Sequence, residues 1–260
     1  MQNVTRFVVR PIAFLSVLFL TFIGMQAQKK KAIVYDTINV GDQLWMKKNL
    51  DVDKFRNGTK IPQARTREEW VKAGLMKKPA WCYVNDDPIL GMKMGKLYNW
   101  YAVNDKRGLA PKGWSIPTLE DWVLLKEEAG KKMRNKNRKL QSNSEYWYEE
   151  DDEYDSEDEG IEENDSRRNN REKPKQSIFF AEPTGIRVFL NQEWGRGDRY
   201  DREYNDKGFF DYRTLTKWWS ATEDDTKQAW FFSIGYREDD KGDIYKNEKA
   251  SGYSVRCIIK

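Results

Sequence analysis

The stretch GKLYNWYAVNDKRGLAPKGWSIPTLEDW, residues 95–122, concentrates aromatic side chains beside the clearest helix start in the chain. Its tryptophans and tyrosines are Tyr98, Trp100, Tyr101, Trp114 and Trp122. Thr118 precedes an apolar run of helical spacing, and Asp121 follows three residues later, which is the pattern of an N-terminal capping box. Aromatic rings bury large apolar areas. The stretch therefore indicates a structural hub and not a catalytic site.

Composition limits the classes of protein to which the chain can belong. Its 260 residues suffice for one domain of ordinary size or two small ones. Charged residues make up 34% and aromatic residues 14%, so a hydrated part coexists with an aromatic-rich core or surface. The net charge of +4 is too small to indicate a nucleic-acid interface, which needs a concentrated basic face. The chain has no His, the commonest zinc ligand and general base, and we predict no metal, cofactor or catalytic residue.

The N-terminus has the three parts of a secretory signal. Arg6 and Arg10 precede an apolar run from residue 12 to residue 23, and Met25-Gln26-Ala27 resembles a cleavage site. We predict a signal peptide at 1–27 and an exported mature chain of 28–260 with no transmembrane segment. The alternative is a retained N-terminal anchor, although the apolar run is short for a membrane-spanning helix.

Cys82 and Cys257 are the two cysteines of the chain. An exported protein meets an oxidising environment, in which they could form a disulfide. The loop-entropy model gives such a long closure about 4–5 kcal/mol of stabilisation. The alternative is a pair of buried free thiols that behave as small apolar groups. The sequence leaves both open.

The N-terminal half predicts a pair of strands and two helices. Partial alternation of apolar and polar residues on either side of Gly41-Asp42 predicts two strands around a turn. Thr66 with Glu69 three residues later predicts the start of one helix. Thr118 opens the second helix, and Gly130 is its predicted end.

The C-terminal part predicts short antiparallel strands. Aromatic and β-branched residues, separated by Asp, Gly and Lys, predict strands at 216–222, 229–236 and 253–259. A further strand, turn and strand are predicted within 178–188. The order of these elements indicates an α+β fold with a mostly antiparallel sheet made by both ends of the chain.

Residues 131–175 differ in composition from the rest of the chain. A basic block is followed by the acidic run YEEDDEYDSEDEGIEEND and a second basic block. Runs of like charge repel and stay hydrated, so we predict a disordered insertion that interrupts the domain. Blocks of opposite sign could instead collapse on one another, and Tyr146, Trp147 and Tyr148 could dock on the domain. A Ca²⁺ site is disfavoured because the acidic run lacks the spacing of a calcium loop.

Several phrases of the sequence occur in the order typical of one family. They are Val40–Met46, Phe55–Gly58, Pro79–Tyr83, Gly95–Val103, Gly113–Thr118, Trp218–Glu223 and Gly252–Cys257. On these phrases the chain resembles the Fibrobacter succinogenes major paralogous domain, found in exported proteins of the Bacteroidota. The resemblance covers residues 33–130 and 178–260. Its structural signature falls on Trp45, Trp100, Trp114, Thr118, Trp122, Trp219, Glu223 and Arg256.

The resemblance implies a C-type-lectin-like α+β domain with two helices and paired N- and C-terminal strands, distantly similar to formylglycine-generating enzymes. It also implies a location in the periplasm, on the surface or outside a Gram-negative cell. The sequence departs from the family at Ser115, where His is frequent, and at Thr184, where the phrase Pro-Gly-Gly-x-Arg has Gly.

We expect a non-catalytic binding module of the cell envelope whose ligand is a glycan or an envelope protein. Aromatic residues beside acids suit sugar stacking and hydrogen bonding, and the candidate ligand residues are Trp194, Tyr200, Tyr204 and Trp218. The plainer interpretation of each ring is core or loop packing. An alternative function is envelope assembly through the charged insertion. An enzyme of the formylglycine-generating kind is the least supported, because the two cysteines lie far apart in sequence.

Overall fold

A computed structural model of the protein describes residues 34–133, 138–147, 176–189, 207–236 and 240–260. The predicted signal peptide at 1–27 lies outside the described residues. The same is true of Trp194, Tyr200 and Tyr204, and of residues 148–175 of the predicted insertion.

The described residues form four α-helices, one 3₁₀ turn (Val84–Asp86) and twelve strands. The helices are α1 (Arg67–Leu75), α2 (Pro88–Met94), α3 (Trp100–Val103) and α4 (Leu119–Met133). The strands are β1 (Thr37–Val40), β2 (Gln43–Met46), β3 (Trp81–Tyr83), β4 (Lys96–Tyr98), β5 (Arg138–Gln141), β6 (Gln176–Ala181), β7 (Ile186–Arg187), β8 (Phe209–Phe210), β9 (Leu215–Glu223), β10 (Gln228–Gly235), β11 (Asp243–Glu248) and β12 (Ile258–Ile259). They make several small sheets, most of them antiparallel, and this architecture of few helices and many short strands is consistent with an α+β or a mostly β class.

The two ends of the domain meet in one sheet. β1 and β2 form an antiparallel hairpin whose turn contains Gly41 at φ 62, a left-handed conformation that glycine adopts without strain. β12 pairs antiparallel with β2 and places Ile258 opposite Trp45. The predicted pairing of N- and C-terminal strands is therefore confirmed. The remainder of the predicted strand 253–259 makes isolated bridges, such as Tyr98 with Tyr253.

Both predicted helix starts are confirmed by their caps. The Glu69 amide donates to Thr66 Oγ1 over 3.2 Å at the start of α1. At the start of α4 the Thr118 amide donates to Asp121 Oδ2 over 2.8 Å. The predicted end at Gly130 is wrong, because α4 continues to Met133. Two lysines in that last turn interact favourably with the partial negative charge at the C-terminal end of the helix.

Helix α4 lies against the antiparallel sheet formed by β9, β10 and β11. The contact is made by Trp122, which is fully buried and stacks on Phe232 at 4.9 Å between ring centroids. Trp45 and Trp218 flank the same ring at 4.8 and 5.9 Å. The predicted hub therefore joins α4 to the terminal sheet (β1, β2 and β12) and to the central sheet (β9, β10 and β11).

Part of the segment predicted as an insertion belongs to the fold. Residues 131–133 complete α4, and β5 pairs in parallel with β6. Leu140 is fully buried, and the buried Trp147 donates from Nε1 to the Ala181 carbonyl over 3.0 Å. The highly charged composition of this segment thus masks, in a sequence analysis, the few apolar residues that pack in the core.

The core consists of three buried clusters. One surrounds Tyr98, Trp219 and Tyr253, a second surrounds Trp122 between α4 and the central sheet, and a third lies beneath α1 around Trp70. Within the described parts of the chain, no helix has the length and apolar character needed to cross a bilayer.

Candidate functional site

Most residues of the predicted signature lie inside the protein. Five of them are buried, namely Trp45, Trp100, Trp122, Trp219 and Arg256. Trp114 and Thr118 are half-buried, and Glu223 is exposed. The signature therefore describes how the fold is held together and not one ligand-binding surface.

Arg256 shares a buried polar centre with Asn49. Asn49 Oδ1 accepts hydrogen bonds from Arg256 Nη2 at 2.7 Å, Arg256 Nε at 3.1 Å and Trp218 Nε1 at 2.8 Å. The Phe179 and Phe180 carbonyls accept from the other side of the guanidinium. Burial lowers the pKa of Arg256 to about 9, and the Glu182 charge acts in the opposite direction. These contacts give Arg256 a structural role.

Trp218 was a candidate ligand residue, and the structure places it in the core. It is fully buried, and its ring packs against Trp122, Phe179 and Phe232. Its one polar atom is already bonded to Asn49. The prediction that Trp218 stacks on a ligand is therefore corrected: apolar neighbours cover its ring, and none of its surface is open.

Glu223 is anchored by a lysine that sequence patterns do not single out. The buried Lys249 donates to Glu223 Oε1 and to the Asp225 carbonyl. Its ammonium also lies 4.7 Å from the centre of the Trp100 ring. Two signature residues, Trp100 and Glu223, thus meet through Lys249. No local pattern could reveal this contact.

Cys82 and Cys257 are free and buried in different clusters. Of the two alternatives that the sequence leaves open, the structure has the pair of free thiols and not the disulfide. Burial raises the pKa of Cys82 to about 12, although the neighbouring Arg187 lowers it. Burial also raises the pKa of Cys257. Both thiols are protonated at neutral pH and are poor nucleophiles.

The central sheet carries an ordered set of side chains on one face. Residues paired across neighbouring strands share a face. The register therefore places Lys217, Ser233 and Asp243 in one row and Trp219, Phe231 and Tyr245 in the next. With strands about 4.8 Å apart, each row spans about 10 Å. We call these six residues the Tyr245 face.

The Tyr245 face opens toward the edge strand β11. In the aromatic row, exposure rises from 0% at Trp219 and 4% at Phe231 to 52% at Tyr245. Tyr253 covers the first two rings at 4.3 and 4.9 Å, while Tyr245 lies 5.8 Å from Phe231 on the open side. Among the described residues, Tyr245 is the aromatic residue with an exposed ring.

The polar row has a carboxylate beside the exposed ring and an ammonium at the covered end of the face. Asp243 accepts from Lys126 Nζ at 2.8 Å and from the Tyr245 hydroxyl at 3.4 Å. These hydrogen bonds, the first in particular, hold the pKa of Asp243 below its usual range. At the covered end, the ammonium of Lys217 lies 5.0 Å from the Phe231 ring, and burial lowers its pKa to about 8.

The residues of β11 in this face are missing from the sequence prediction. The strand reads DIYKNE, and its polar letters resemble a loop. The signal that could identify the strand is the two-residue alternation of its side chains, since Asp243, Tyr245 and Asn247 share one face and Ile244 lies on the other. An exposed edge strand buries little apolar surface, which is why its pattern is weak.

A second concave surface lies on the outer side of α1. It is a groove of about 410 Å³, lined among the described residues by Val71, Leu75 and Met76 with three charged neighbours. All of these residues belong to α1 or to its C-cap, Met76. The groove therefore lacks the convergence of polar groups from several elements that is typical of ligand sites. No cluster of metal-ligating side chains occurs in the described ranges.

Comparison with known proteins gives one family. The sequence model of the Fibrobacter succinogenes major domain matches residues 38–259, which is most of the chain. No curated protein and no solved structure matches the chain. The chain belongs to the Fibrobacter succinogenes major domain family.

Proposed function

We propose that this family member is a non-catalytic binding module of the bacterial cell envelope, and that it binds a glycan on the Tyr245 face. The observation that carries the proposal is the exposed Tyr245 ring beside a polar row. A flat ring with a polar tip suits the apolar face of a sugar. Ser233 and Asp243 supply hydrogen-bonding groups for hydroxyls at the distances of neighbouring strands.

The chemistry of the buried groups supports binding over catalysis. An enzyme of the formylglycine-generating kind needs reactive cysteines, and here both thiols are buried with raised pKa values. Two arginines, Arg187 and Arg256, are fully buried as well. The groups on the open face can hold a ligand by stacking and hydrogen bonding.

A C-type-lectin-like fold and export to the envelope are part of the same proposal. The paired terminal strands and the two capped helices support the fold. The signal-like residues 1–27 support export from a Gram-negative cell. Trp194, Tyr200 and Tyr204 stay predicted ligand residues of the same module.

The proposal is tested by screening residues 28–260 against a glycan array, with and without EDTA. We expect binding to one class of glycan that EDTA does not weaken. The Tyr245→Ala variant should lose the signal. Leu124→Ala, which removes an exposed apolar side chain from α4, is the matched control and should bind normally. Failure of the wild-type protein to bind any glycan would contradict the proposal.

A further inference from the structure

Helix α4 and strand β11 are joined by an ion pair beside the exposed Tyr245 ring. Lys126 Nζ donates to Asp243 Oδ1 over 2.8 Å, and Asp243 Oδ2 accepts from the Tyr245 hydroxyl over 3.4 Å. Burial raises the pKa of Tyr245, the Asp243 charge adds to the rise and the Lys126 charge opposes it. Both charges therefore act on the ring that the proposed function uses for stacking, and the pair and the ring form one continuous surface.

This ion pair is open to solvent and keeps hydrogen-bonding capacity for a ligand. The side chains of Lys126 and Asp243 are 40% and 54% exposed. Within the described part of the chain, the ammonium has one acceptor, which leaves two of its three N–H groups available. Asp243 Oδ1 also accepts from the Ile244 amide at 2.8 Å, whereas Oδ2 has the long bond from Tyr245 and room for a second donor. A donor and an acceptor thus lie side by side next to the ring.

A neighbouring donor and acceptor suit two neighbouring hydroxyl groups of a sugar. Each hydroxyl both donates and accepts, so one can donate to Asp243 Oδ2 while the other accepts from Lys126 Nζ. The ammonium and the carboxylate lie at hydrogen-bonding distance from each other, and two hydroxyls on adjacent ring carbons are separated by a similar length. Both bonds involve an ionised group and are therefore stronger than bonds between neutral groups.

The second ion pair of β11 lacks this arrangement. Lys246 is paired with Asp224 at 3.1 Å, and its ammonium lies 4.9 Å from the centre of the Trp230 ring. Side chains alternate along a strand, so Lys246 lies on the side of the sheet opposite Tyr245. Its charge covers an aromatic ring instead of lying beside an open one. Lys246, with a side chain 43% exposed, is therefore a matched control for Lys126.

We propose that Asp243 and Lys126 bind a vicinal diol, which is a pair of hydroxyl groups on adjacent ring carbons, of the sugar that stacks on Tyr245. The inference rests on the proposed function and deepens it, because it names the class of sugar that the Tyr245 face takes. The internal units of a linear β-1,3-glucan have free hydroxyls only on alternate carbons. Such a polymer is excluded, whereas dextran, xylan and β-1,4-mannan keep a vicinal diol in every internal unit.

The test adds these four polysaccharides to the glycan array and prints every glycan before and after periodate oxidation, which cleaves vicinal diols and leaves internal β-1,3-glucan units intact. We expect the wild-type protein to bind diol-bearing glycans, to lose that binding after oxidation and not to bind β-1,3-glucan. Binding to β-1,3-glucan, or binding that survives oxidation, would reject this inference and leave the proposed function standing. Absence of binding to any glycan would reject both.

Two variants separate diol recognition from stacking. Lys126→Met keeps the length of the side chain and should weaken binding to intact diol-bearing glycans about tenfold, as expected for the loss of one hydrogen bond to a charged group. Lys246→Met should bind as the wild type does. Both should keep the wild-type melting temperature, since an exposed ion pair contributes little stability. Equal binding by Lys126→Met and the wild type would overturn the proposal.

Discussion

Asn49 is the residue on which the buried charge of Arg256 depends. Its carbonyl oxygen accepts three hydrogen bonds, from Arg256 and Trp218, and its amide nitrogen donates to the Met94 carbonyl over 2.9 Å. The side chain thus joins the N-terminal half of the domain to β9 and to the segment just before β12. A neutral acceptor suffices here because two main-chain carbonyls share the guanidinium.

Asn49→Ala should therefore be strongly destabilising. Removing the acceptor leaves Arg256 Nε and Trp218 Nε1 without a partner, and each unmet buried donor costs about 1–3 kcal/mol. Asn49→Asp restores an acceptor and adds a counter-charge, so it should cost clearly less. Urea denaturation of the three proteins measures the difference. Equal midpoints for Asn49→Ala and wild type would show that the Arg256 centre contributes little.

The buried Lys217 leads to a prediction about how the stability of the protein depends on pH. Burial lowers its pKa from 10.5 to about 8, while the charge of Asp211 raises it. The unfolded chain then binds more protons than the folded one between these values, so this group adds stability as the pH rises from about 8 toward 10.5. Below pH 8 the cost of the buried charge is fully present.

Lys217→Met removes that cost and should stabilise the protein most at neutral pH. From pH 7 to pH 10.5, the stability difference between the variant and wild type should shrink by about 3 kcal/mol. Denaturant titrations at the two pH values give this difference, in which the titration of other groups cancels. A difference that does not change with pH would contradict the assigned pKa shift.

At the scale of the element, helix α4 depends on one tryptophan more than on the other aromatic residues of its stretch. Trp122 is fully buried between the helix and the central sheet, whereas Trp114 is half-buried and touches Tyr35 edge-on at 5.8 Å. The sequence pattern does not distinguish the two, because both lie in the same aromatic stretch.

Trp122→Ala should cost about 3–5 kcal/mol, as truncation of a buried aromatic side chain does. Trp114→Ala should cost clearly less, because part of its ring surface already faces solvent. Thermal unfolding monitored by circular dichroism compares the two variants. A Trp122→Ala protein with the same melting temperature as the wild type would mean that this ring does not hold α4 in place.

Local signals explain which elements can be predicted from sequence. Thr118 and Asp121 predict the start of α4 because the cap is made within four residues. Pro88 does not by itself identify the start of α2, since proline is as typical of turns as of the first position of a helix, and here Asp87 is the cap. β11 stays hidden because an edge strand with one exposed side lacks a continuous apolar run.

At the scale of the molecule, long-range contacts decide what the sequence cannot reveal. The contact between Asn49 and Arg256 joins residues 207 positions apart, and Arg187 meets Ala64 over 123 positions. Residue type alone indicates neither partner. The same holds for the Tyr245 face, whose rows arise from the register of three strands. Trp218 gives the opposite case: the sequence made it a candidate ligand residue, and long-range packing places it in the core.

The claim that Tyr245 forms the binding surface is tested most directly by calorimetric titration of the best glycan from the array. Tyr245→Ala should weaken binding at least about tenfold, which corresponds to about 1.4 kcal/mol, while its melting temperature stays near that of wild type because the ring is exposed. Leu124→Ala should bind as wild type does. Unchanged affinity in the Tyr245→Ala protein would contradict the account and place the ligand elsewhere on the chain.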